Sequence, residues 1–130
     1  MAQELVGKKI LLVDDDADIL TTMRAALADT GATIETAGDG DQAIEKISSS
    51  VPDLVVLDMM LPKRSGFLVM ERLKRGRKGN GGPRIIMITG NQGTRHRVYA
   101  ETLGVSLYLN KPFRMDKLVT SIKELLEPTS

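Results

Sequence analysis

The chain has 130 residues, 42% hydrophobic and 27% charged, with a net charge of +1, which suits one compact soluble domain with a real core. It has no Cys and a single His, His96, so disulfides, thiol chemistry and Cys- or His-rich zinc sites are excluded. No apolar run approaches the roughly 18 residues of a membrane span, and Leu5 and Val6 are too little for a signal peptide, so a cytoplasmic protein with no membrane partner is expected.

Residues 9–13 are an apolar run with β-branched members and predict a buried strand. Ile19, Met23, Ala26 and Leu27 then share one face of a helix that Gly31 stops. Residues 33–37 ("TIETA") read as a short strand, and Ala43, Ile44 and Ile47 mark the next helix. Pro52 breaks the chain before a buried strand over 53–58. Pro62 and Gly66 bracket a loop, and a helix follows in "GFLVMERLKRG". Residues 75–84 form a basic, Gly-rich connector that precedes a strand, so it is not a nucleotide-binding loop. A strand over 84–89, a helix from Thr94 to Leu103, a strand over 106–110 and a helix after Pro112 complete the chain.

Apolar strands alternating with helices imply an α/β fold, a doubly wound parallel sheet with helices on both faces. In such sheets ligands bind beyond the carboxyl ends of the strands. Those ends carry Asp14 and Asp15, then Asp58, then Thr89, then Lys111. Singly, each has an ordinary reading: an Asp before a helix is an N-cap, and one of Asp14 to Asp16 fills that role. Together, three carboxylates, a hydroxyl and an amine point to one crevice. Crowded carboxylates stay ionised when a hard cation sits among them, and Mg²⁺ favours carboxylates plus phosphate. A carboxylate beside Mg²⁺ and Lys can act as the nucleophile that forms an aspartyl-phosphate.

The segments "ILLVDDD", "DLVVLDMMLPKRSG", "IIMITG" and "YLNKPF" resemble the receiver domain of two-component response regulators, over about residues 8–126. The resemblance implies a single receiver domain of the stand-alone type over residues 1–130, with a flavodoxin-like sheet of order 2-1-3-4-5. It implies Asp58 as phosphoacceptor, and Mg²⁺ held by Asp14, Asp15, Asp58 and the Met60 backbone carbonyl. Thr89 and Lys111 match the residues that assist transfer, and Gly90 the small residue that leaves room for the phosphoryl group. Thr89 and Tyr108 match the switch pair, and a cis Lys111–Pro112 bond is implied. The implied donor is a phosphohistidine on a sensor kinase or phosphotransfer protein. The implied output is a protein target docked on the fourth expected helix, the last strand and the last helix, near Arg95, Arg97, Val105 and Leu107. The role is that of a regulatory phosphoacceptor, not an enzyme with a substrate of its own.

The chain departs from many receivers in two respects: Met60 is apolar where a polar side chain is common, and Ser106–Leu107 replace a small or acidic pair. The rival reading is a Mg²⁺-dependent phosphatase of the haloacid-dehalogenase-like kind. Its nucleophile lies on the first strand in a D-x-D pattern, whereas here the acid pair comes first and Asp58 follows. Nucleic-acid binding is a third reading, because residues 63–84 hold eight Lys or Arg and one acid. Those bases lie on a loop and a helix flank with no stacking aromatic, so a solvated surface is preferred and nucleic acid is not an expected partner.

Overall fold

Ile10 to Val13 are all buried, and so is every residue from Leu54 to Asp58. Strands apolar on both faces need a layer on each side, and the helices supply both. The computed structural model describes residues 4–59, 66–75, 83–90 and 104–126. The strands are β1 (Lys9–Val13), β2 (Thr33–Ala37), β3 (Leu54–Asp58), β4 (Arg84–Thr89) and β5 (Leu107–Asn110). The helices are α1 (Ala17–Leu27), α2 (Gly40–Ser49), α3 (Gly66–Arg75) and α4 (Met115–Leu126). The sheet is parallel, in the order β2-β1-β3-β4-β5, as the resemblance implied. The helix expected from Thr94 to Leu103 lies outside the described residues.

Side chains alternate across the sheet, as period-two geometry requires. Leu11, Val13, Val55, Leu57, Ile85, Met87 and Tyr108 pack into one cluster with residues of α2 and α3. Ile10, Leu12, Leu54, Val56, Ile86, Ile88 and Leu109 pack into the other, with α1 and α4. The start and end of α1 and the start of α2 each have a local cause. The Asp16 carboxylate accepts from the backbone N–H groups of Asp18 and Ile19 and caps α1. A short 3₁₀ turn, Ala28–Thr30, closes that helix, and Gly31 at φ 85° ends it. Asp39 caps α2 through the Gln42 N–H at 2.8 Å.

Candidate functional site

The sheet register fixes the site before any side chain is considered. Val13 pairs with Leu57, Asp58 with Ile88, and Thr89 with Asn110, so the carboxyl ends of β1, β3, β4 and β5 lie side by side. Backbone hydrogen bonds extend this pairing one residue past the strands. Asp14 N–H donates to Ala37 O at 3.1 Å, Met59 N–H to Ile88 O at 2.9 Å, and Lys111 N–H to Thr89 O at 2.8 Å. Each chemistry-bearing residue is thus held by a neighbouring strand and not by a loop alone.

Asp14 and Asp58 are buried, at 1% and 3% exposure, and Thr89 is fully buried. Lys111 reaches back over β4 and bridges the two acids. Its Nζ lies 3.1 Å from Asp58 Oδ2, as a hydrogen bond, and 3.2 Å from Asp14 Oδ2, as an ion pair. Asp14 Oδ1 accepts from the Asp16 N–H at 2.9 Å. Asp14 Oδ2 accepts no hydrogen bond although it is buried. That ion contact is close but not aligned for a hydrogen bond, so the oxygen keeps lone pairs for a second cation. The Lys111–Pro112 bond is cis.

The electrostatics follow from this packing. Burial pushes the Asp14 carboxyl above its ordinary range, and the Asp58 charge adds to that, while the Asp16 N–H and Lys111 oppose it. Desolvation pulls Lys111 down, but its hydrogen bond to Asp58 and the charges of Asp58 and Asp14 outweigh that and hold it above its ordinary value. The lysine therefore stays charged at neutral pH.

Asp14, Asp15 and Asp58 each offer a carboxylate oxygen, all within 4.8 Å of one another. Three hard oxygens, one of them a buried acceptor without a donor, are the donor chemistry that Mg²⁺ takes. Asp15 is exposed, on the solvent side of this set. The three successive aspartates thus divide their work: Asp14 is buried in the crevice, Asp15 faces out beside it, and Asp16 caps α1. Met60 lies outside the described residues, as do Arg95, Arg97 and His96. Thr89 and Tyr108 are both described, and alternation places them on the same sheet face, with the Tyr108 ring buried in the α2/α3 cluster. A Cβ at Gly90 would meet nothing within 4 Å, so the structure has room there.

Sequence reasoning missed Gly66 as a part of the site. A Cβ on it would lie 2.7 Å from Met59 Cα and 2.9 Å from Asp58 O, and its N–H donates to Met59 O at 3.0 Å. Only a glycine lets α3 start against the backbone that carries Asp58. Its helix-start position was legible, but nothing local in the sequence reveals the approach of a segment eight residues away. Also unforeseen is a groove of about 460 Å³ on the α1 side of Lys111, with Ile19, Pro112, Phe113 and Met115 in its walls and Asp18 beside them.

Comparison with known proteins gives a consistent result. A family model described as the response regulator receiver domain matches residues 10–123. The transcriptional regulatory protein DltR of Streptococcus agalactiae (serotype III, strain NEM316) is 40% identical over 115 residues, which cover 88% of this chain and 50% of that protein. The solved receiver domain protein (CheY-like) of Methanospirillum hungatei JF-1 superposes with a TM-score of 0.82 at 31% identity, covering 90% of this chain and 91% of its own. The BeF3-activated N-terminal receiver domain of Klebsiella pneumoniae RstA superposes with a TM-score of 0.79 at 28% identity, covering 92% and 99%. The chain spans about half the length of the curated relatives it matches. Nothing among these matches supports the dehalogenase-like alternative.

Proposed function

This chain belongs to the response regulator receiver domain family of two-component systems, and we propose that it accepts a phosphoryl group from a phosphohistidine onto Asp58 and thereby switches a partner-binding face. The observation that carries this reading is the Lys111 bridge, which sets an ammonium 3.1 Å from one oxygen of Asp58 and 3.2 Å from Asp14. We take residues 8–126 as one such regulatory domain in the cytoplasm; no helix among the described residues is long and apolar enough to cross a membrane.

Asp14, Asp15 and Asp58 would hold Mg²⁺, with the Met60 carbonyl as a further ligand on the family pattern. When bound, the ion would neutralise charge on the phosphoryl oxygens. The chain's own residues do the rest. Asp58 supplies the carboxylate oxygen that bonds to phosphorus as the bond to the donor's imidazole nitrogen breaks. Lys111 keeps a positive charge against that carboxylate, which lowers the cost of bringing an anionic group to a buried acid. Backbone ties to β2, β4 and Thr89 hold Asp14, Asp58 and Lys111 in register, so little reorganisation is needed. The groove beside Lys111 offers apolar surface on which a donor protein can rest next to the acceptor.

After transfer, the Thr89 hydroxyl, at the end of the neighbouring strand β4, donates a hydrogen bond to a phosphoryl oxygen. Tyr108 shares its sheet face, so a shift of Thr89 is felt at the ring. The kinase or phosphotransfer donor and the downstream protein target are the partners this cycle requires. Relatives such as DltR are transcriptional regulators, so a DNA-binding partner segment is compatible with it. The test is incubation of the protein with acetyl phosphate and Mg²⁺. One phosphoryl group per chain, absent with EDTA, supports the receiver reading. Steady hydrolysis of small phosphate esters would favour the phosphatase.

A further inference from the structure

Residues 4–8 precede the stretch that the family model matches, which begins at residue 10, yet they are tied into the fold at several points. Leu5 is 1% exposed and belongs to the cluster that holds Leu27 of α1 and Ile122 and Leu126 of α4. Its N–H donates to Thr30 O at 2.7 Å, on the turn that closes α1. Glu4 Oε1 accepts a hydrogen bond from Lys123 Nζ of α4 at 3.1 Å. The chain then reverses into β1 through the Lys8 N–H to Leu5 O bond of 3.0 Å. Gly7, third in that turn, has φ 85°, which a residue with a Cβ adopts at a cost.

We propose that residues 4–8 are a strap that fastens the C-terminal half of α4 to the end of α1. A segment at the edge of a domain is ordinarily poorly ordered unless tied down, and this one is tied to both helices, with Lys8 O also accepting the Thr33 N–H of β2 at 2.9 Å. Helix ends open locally at the low end of the stability range. A buried leucine added to that end from before the stretch that the family model matches raises the cost of opening there. Leu5 carries most of the effect, because the Glu4–Lys123 pair is about one-third exposed and screened. The strap also bears on output. On the proposed function, α4 is one wall of the partner face, so the strap limits how far that wall moves when Asp58 is phosphorylated; this clause rests on that reading, and the strap itself does not.

Amide hydrogen exchange on the full chain tests it, by comparing α4 (residues 115–126) with α2 (residues 40–49) in three variants. Leu5→Ala should speed exchange in the second half of α4 about tenfold or more relative to α2. Gly7→Ala removes no contact, since its Cβ would meet nothing within 4 Å, and should shift α4 in the same direction through turn strain alone. Glu4→Gln should change α4 by roughly twofold or less. A rise that is equal in α4 and α2, or no rise, in Gly7→Ala and Leu5→Ala overturns the strap. Should Leu5→Ala fail to fold, Gly7→Ala decides alone. Exchange is read on unphosphorylated protein, so failure of acetyl phosphate to label the wild type counts against the proposed function only.

Discussion

The Asp14 carboxyl sits above the usual carboxylate range because it is buried and because Asp58 is beside it. The native state therefore binds a proton in a window where the unfolded chain, with a pKa of about 3.9, has lost it. By linkage, stability falls as pH rises through that window, and the loss is complete above the folded value. Asp14→Asn should remove this part of the pH dependence and make the metal-free protein more stable at neutral pH, measured as a rise in Tm. The same substitution should weaken Mg²⁺ binding, because it removes a ligand charge. In the wild type, Mg²⁺ at about a hundred times its Kd should add about 2.7 kcal/mol, and Asp14→Asn should lose most of that gain. A protein whose melting ignored Mg²⁺ would contradict the site. Thr89 lies at the other side of Asp58, fully buried. Thr89→Ala should cost about 1 kcal/mol and still permit labelling of Asp58. It should blunt the NMR shift that beryllofluoride causes at Tyr108; an equal shift in both proteins would remove Thr89 from the relay. Which aspartate does what was not legible in "DDD": all three have the right chemistry, and only the backbone path sends Asp14 inward and turns Asp16 onto the α1 amides.

At the scale of elements, Gly66 shows how one helix start supports the site. Gly66→Ala drives a Cβ into backbone atoms of Asp58 and Met59, which cannot swing aside as a side-chain tip can. It should destabilise the fold by about 1–3 kcal/mol and slow labelling at Asp58, read together by denaturant melts and acetyl phosphate kinetics. A variant of normal stability and labelling rate would show that α3 has slack there. The described strands and helices were legible because each carries a continuous apolar run or a helical face, and β1, β2 and β4 begin and end where the residues change character. β3 and β5 each begin one residue later than expected, where the Asp53 carboxylate accepts the Lys9 N–H and the Ser106 hydroxyl oxygen accepts the Ile85 N–H in place of a backbone carbonyl. Strand order was not legible in that way: periodicity says that a strand is buried, not which strand lies beside it, and the order came from the resemblance. Leu5 was also missed, since the apolar pair Leu5–Val6 before the strand has no periodic partner to show that Leu5 is core and Val6 is exposed.

Across the whole molecule, charge separates along the chain: residues 1–58 carry 12 acids and 4 bases, and residues 59–130 carry 5 acids and 14 bases. The fold converts part of this separation into function, for it folds Lys111 from the basic half onto Asp14 and Asp58 of the acidic half. The strands that carry these residues are packed on both faces by helices, so on the proposed function a phosphoryl group would change the charge balance at the edge of a well-packed sheet. On that reading its effect would leave through the strands that carry Thr89 and Tyr108. The proposed function rests on the phosphoryl group residing on Asp58. The direct measurement is to label the protein with acetyl phosphate and Mg²⁺, reduce the acyl phosphate with borohydride, and locate the modified residue by mass spectrometry, with Asp58→Asn alongside. The account predicts one modified residue, Asp58, in the wild type and none in the variant, which should remain folded. Modification at another residue, or undiminished labelling of folded Asp58→Asn, would contradict it.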